Sequence, residues 1–133
     1  MSLPSLSEVS NEALHHQLKM LRGKENEVLA ELLLHLHEVD LRGIYRDAGY
    51  SSLFTYCREC LGYSEGSTHR RVNAARCLGR SPEVYELVRE GKVTLCALAA
   101  ISPVMDEENV GEVLTLAQGA STKEAEKIAV RYG

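Results

Sequence analysis

Leucine and valine recur at steps of three and four through the first third of the chain, as Leu14, Leu18 and Leu21, then Val28, Leu32, Leu36 and Val39. Steps of that size return to one side of an α-helix on every turn, so this segment is committed to a long amphipathic helix, with Ser10 placed to cap it. Gly23 weakens such a helix by roughly 1 kcal/mol relative to Ala, and Glu25 interrupts the apolar stripe. The segment is therefore either one helix to about residue 42 or two helices with a bend near residue 23. Leu29 and Leu33 widen the stripe in its second half, which predicts burial there against more than one neighbour. The first half keeps a narrow seam, suited to one partner helix, including that of a second chain. Leu14, Leu18, Leu21, Val28 and Leu32 are the candidate dimer or partner seam, and a homodimer is one expectation.

The rest of the chain is punctuated into shorter helices. GIYRDAGYSS reads as a connection, after which Ser51 or Ser52 caps a helix through LFTYCRECL, stopped by Gly62. Ser64 caps the next, ending near Leu78 and Gly79. Ser81-Pro82-Glu83 opens EVYELVRE, Thr94 starts LCALAAI, and Asp106 caps ENVGEVLTLAQ. Ser121 and Glu124 have capping-box spacing ahead of KEAEKIAVRY. The expectation is an all-α fold of about seven helices. It comprises a flexible tail (1–9), a helical arm (10–48) and a helical unit (49–133) that ends in a small bundle. The absence of Trp and the single Phe in 133 residues agree with helix rather than sheet.

Charge is unevenly spread. Residues 1–48 carry five basic and eight acidic side chains, residues 49–80 five and two, and residues 81–133 five and nine. A net charge of −4 excludes a chain that coats DNA indiscriminately, because non-specific duplex binding comes mainly from neutralised phosphates. One local basic element between acidic ones is what a helix-turn-helix needs, with one exposed helix meeting phosphates and base edges. At 100° per residue, Thr68, Val72 and Ala75 share a narrow face of the 65–78 helix with Leu78 at its flank, and that face should bury. Gly66, His69, Asn73, Arg76 and Arg80 gather on another face with Arg70 beside them. Arg forks onto guanine or phosphate and Asn pairs with adenine, so these six are the candidate DNA-binding residues. Arg71 falls toward the core, where it is expected to meet an internal carboxylate.

The stretch LGYSEGSTHRRVNAARCLGRSPEVYELVREGKVTLCALAAI resembles the helix-turn-helix portion of ParB-type partition proteins, and STKEAEKIAV is similar to the segment that follows there. YRDAGYSSLFTYCRECLGYSEGSTHRRVNAAR, with SNEAL upstream, resembles more closely the helical N-terminal domain of a bacterial HNH endonuclease family. Both resemblances imply an all-helical fold with a helix-turn-helix at 52–78, and the ParB resemblance makes 65–78 the recognition helix. Thr68 stands where that family usually has an aliphatic residue, and residues 1–48 offer nothing like its nucleotide-binding portion. The nuclease family holds its catalytic histidines and metal ligands in a separate C-terminal domain. No histidine follows His69, so the resemblance implies a non-catalytic module, either part of a longer nuclease or a stand-alone relative.

Other constellations carry less. Cys57-x-x-Cys60 with His69 and Cys77 has four groups of zinc-ligand type, but the CxxC lies within an expected helix rather than on a knuckle turn. His15-His16 and His35-x-His37 do not share a helix face. No metal, cofactor or catalytic residue is expected. The longest apolar runs fall well short of the about 20 residues that span a bilayer, and nothing resembles a signal peptide. The expectation is a soluble cytoplasmic protein with no membrane partner, binding double-stranded DNA. The competing expectation is a protein-interaction domain that uses the Leu14–Val39 stripe without touching DNA.

Overall fold

The computed structural model describes residues 2–133. Ser10 Oγ accepts the Ala13 N–H at 3.2 Å, and from this cap α1 (Asn11–Arg42) runs 32 residues without a break at Gly23. At 1.5 Å per residue the helix is about 48 Å long. Its two halves differ in company. Ala30, Leu33 and Leu36 are buried in the second half, whereas residues 11–25 contribute no buried side chain, and Leu18 and Leu21 remain 67% and 56% exposed. A single rigid rod thus begins bare and ends in the core.

The segment read as a plain connection contains a short helix, α2 (Ile44–Asp47), which buries Tyr45. It is followed by α3 (Leu53–Glu59), α4 (Glu65–Arg80), α5 (Glu83–Arg89), α6 (Leu95–Ile101), a 3-10 turn (Ser102–Val104), α7 (Val110–Ala117) and α8 (Thr122–Tyr132). The fold is all-α, with eight α-helices and no strand among the described residues. Side-chain caps begin four of the later helices, but not α5, where the Ser81 hydroxyl expected to cap it donates to Glu83 Oε1 at 3.3 Å instead. Ser52 accepts from Thr55 N–H, Ser64 from Ser67, Thr94 from Ala97, and Ser121 with Glu124 forms a full capping box.

Two boundaries differ from expectation. Asp106 does not cap a helix starting at residue 107. Its carboxylate accepts the N–H groups of Glu108 and Asn109, tightening a turn, and α7 starts only at Val110. Nor does Gly79 end α4. Ser81 ends it, because Pro82 steers the residue before it out of the helical region, and Ser81 lies at φ −147°, ψ 111°.

α4 is the hub. It packs on α1, α3, α5 and α6, while α6 in turn packs on α7 and α8. Leu33, Val84, Val88, Leu98, Ile101, Val113 and Leu114 are fully buried or nearly so, in one cluster that reaches from α1 to α8. Removing one such leucine to alanine costs on the order of 2–5 kcal/mol, enough to unfold a marginal domain.

Candidate nucleic-acid interface

α3 and α4 are joined by a turn whose geometry is set by Gly62. At φ 76° this residue lies in the left-handed region that side-chain-bearing residues resist. The reversal is secured by the Tyr63 N–H, which donates to the Cys57 carbonyl at 3.2 Å. Tyr63 is thereby turned back toward α4, and the Arg71 guanidinium lies over its ring, 4.5 Å from the centroid.

Around α4, burial follows the helical period. Thr68, Val72, Ala74, Ala75, Cys77 and Leu78 are buried, so the helix is covered over well more than half its circumference. The open sector carries Glu65, Gly66, His69, Asn73, Arg76 and Arg80, with half-buried Arg70 at one margin. Thr68, Val72 and Ala75 face the core with Leu78 as their spacing predicts. The buried Thr68 hydroxyl has no hydrogen-bond partner.

Within the open sector the candidates are not equivalent. Arg76 is exposed and enters none of the side-chain ion pairs formed by the described residues. His69 is exposed but leans on Phe54 of α3, ring centroids 4.8 Å apart. Asn73 is half-buried, and its backbone carbonyl accepts the Ser102 hydroxyl at 3.1 Å. Arg80 is tied inward: its Nη1 donates to the Ser102 carbonyl and lies 3.3 Å from Ser102 Oγ. Arg70 Nη2 lies 3.5 Å from Ser67 Oγ, and a Cβ at Gly66 would meet Arg70 Nη1 at 3.4 Å, in ordinary van der Waals contact.

Arg71 points inward, but its partner is not the carboxylate expected. It stacks on Tyr63 and donates to the Ser67 carbonyl at 3.2 Å, while its buried Nε has no partner. Sequence reasoning missed Tyr63 because the contact is made across the turn. It missed Ser102 because that residue lies 22 and 29 positions from Arg80 and Asn73. No local signal marks either one.

The cysteines disperse. Cys57 and Cys77 are buried and Cys60 is exposed. Burial pushes the Cys57 and Cys77 thiols up from their ordinary range, and Cys77 Sγ donates to the Leu98 carbonyl at 3.7 Å. Among the described residues no three His, Cys, Asp or Glu side chains converge as a metal site, and no helix is long and apolar enough to cross a membrane.

The candidate seam on α1 divides in the same way. Leu18, Leu21 and Val28 are exposed, and Leu14 and Leu32 are half-buried. Leu21, Glu25, Val28 and Leu32 form one wall of a groove whose other wall is Tyr63 and Arg71. No protein-family model, curated protein or solved structure matches the chain.

Proposed function

We propose that the chain is a non-catalytic, cytoplasmic DNA-binding module in which α3 and α4 act as a helix-turn-helix and α4 docks in a major groove. The observation that carries this reading is the open sector of α4, where Gly66, His69, Asn73 and Arg76 stand together with a single acid, Glu65, in a chain that is otherwise acidic. His69, Asn73 and Arg76 are the groups for base edges, with the His69 ring leaning on Phe54. Arg70 and the nitrogens of Arg80 not spent on Ser102 are the groups for phosphate. The resemblance to the N-terminal domain of HNH endonucleases supports the same role, with α4 serving as the targeting element of such an enzyme or of a relative.

The test is a duplex-binding titration across salt concentrations. Binding is expected to weaken steeply with salt, and Arg70→Ala with Arg76→Ala is expected to flatten the log–log slope by roughly 2. Failure to bind any duplex at low salt would sink the reading.

A second reading is favoured by one observation, the exposure of Leu18, Leu21 and Val28 on a helix that is otherwise well formed. On this reading the arm is a protein-binding surface.

A further inference from the structure

We infer that the bare half of α1 pairs with the same helix of a second copy, antiparallel, and that Glu25 sets this orientation. The inference deepens the second reading above and does not depend on DNA binding.

The seam positions Leu14, Leu18, Leu21, Glu25, Val28 and Leu32 are separated by four, three, four, three and four residues. This is the alternation of a two-stranded coiled coil, in which the repeat stays on one seam and each side chain enters a hole on the facing helix. A helix covered by a large body would need the wider stripe that α1 has only beyond residue 28. A contact strip over residues 14–32 is about 28 Å long. The Tyr63 wall of the groove widens this strip on each side.

Shape selects the orientation. The body of the fold meets α1 from Arg22 and Asn26, which line a cavity with Gly91 and Val93, to the end of the helix, and Tyr63 and Arg71 project beside Val28 and Leu32. In an antiparallel pair each bare arm lies in the partner's groove. In a parallel pair the dyad runs along the helices and sets the two bodies on opposite sides of their plane at one end, so the bare arms would face only each other and meet neither Tyr63 wall.

Charge selects it as well. With Leu14 opposite the partner's Leu32, Leu18 meets the partner's Val28 and Leu21 meets the partner's Glu25. Each Glu25 then stands one residue from the partner's Arg22, a cation whose Nη1 is anchored to Asn26 Oδ1 at 2.7 Å. In a parallel pair Glu25 would face the partner's Glu25, and like charges at a seam position are destabilising.

Sedimentation equilibrium of the full chain without DNA reads the association directly. A dimer is expected, and Leu21→Asp with Val28→Asp is expected to give a monomer with unchanged helicity, since both side chains are exposed. A wild-type monomer up to roughly 100 µM, well above a micromolar Kd, or an assembly larger than a dimer, would overturn the inference.

Orientation is read by disulfide cross-linking in a Cys60→Ser, Cys96→Ser background. Leu14→Cys with Leu32→Cys should yield covalent dimers, and Leu14→Cys alone should not. Self-cross-linking of Leu14→Cys would overturn the antiparallel arrangement. A dimer that fails to bind DNA would leave this inference standing and remove the DNA reading; a DNA-binding monomer would do the reverse.

Discussion

Gly79 of α4 lies so close to His37 of α1 that a methyl group at residue 79 would stand 2.7 Å from His37 Cε1. The glycine is helical and is not needed for its φ, so its role is the approach of one helix to another. Gly79→Ala sets two effects in opposition. Alanine favours the helix by about 1 kcal/mol, and crowding against the ring opposes it. The close atom is the outer end of a side chain, so the substitution is expected to stabilise a His37→Ala background by about 1 kcal/mol and the wild type by less, because there the ring must first move aside. Denaturation of the four proteins tests this, and equal effects in both backgrounds within about 0.5 kcal/mol would show that the contact carries no energy.

Arg71 and Arg76, five residues apart, should behave as different kinds of residue. Arg71→Ala removes the stack on Tyr63 and the bond to the Ser67 carbonyl, and is expected to cost about 1–2 kcal/mol of stability. Arg76→Ala is expected to change stability by less than about 0.5 kcal/mol while weakening duplex binding. Melting curves and a binding titration on the two variants separate the roles, and a reversal of the pattern would exchange them.

Ser102 is buried at the junction of α6 and the 3-10 turn, donating to the Asn73 carbonyl and meeting Arg80. Ser102→Ala leaves the Asn73 carbonyl without that donor, at an expected cost of about 1–2 kcal/mol. Faster amide exchange in the last two turns of α4, with α1 unaffected, is the accompanying signature. Unchanged exchange there would mean that Ser102 does not anchor the helix.

The Glu124 carboxyl is held below its ordinary value, first by the Ser121 N–H it accepts and then by the Ser121 side chain. A depressed folded-state pKa means that the carboxylate form contributes stability above the unfolded value near 4.5, and that this contribution is lost as pH falls through the folded value. Glu124→Gln should therefore lower stability at neutral pH and converge on the wild type in acid. Parallel melting curves from pH 7 to pH 3 would contradict this.

The parts of the fold that could be read from the sequence are those decided within one helical turn. Ser10, Ser52, Ser64, Thr94 and Ser121 cap their helices because the accepting oxygen and the free N–H lie three residues apart. The open sector of α4 was legible for the same reason: a wheel needs only local spacing. Gly79 misled because a glycine after an apolar run is the usual mark of a helix end, whereas here Pro82 stops the helix and the missing side chain serves α1. The partners of Arg71 and Arg80 were illegible because aromatic rings and backbone carbonyls are found everywhere in a chain, and only the packed fold selects Tyr63 and Ser102.

The unbroken passage of α1 through Gly23 has a metric consequence for an antiparallel dimer. The core-facing Leu33 stands about 100° around the helix from the seam residue Leu32, and the dyad of an antiparallel pair runs normal to the plane of its two helices. Both bodies therefore sit on one side of that plane. The body meets α1 from Asn26, beside Gly91, to His37, beside Gly79, so corresponding points of the two bodies stand about 9 to about 42 Å apart along the helices, a range that includes the roughly 34 Å between half-sites one helical turn apart on duplex DNA. α1 then acts as a caliper. Inserting seven residues in the arm would open its jaws by about 10 Å, roughly three base pairs, and would turn the second half-site about a third of the way around the duplex.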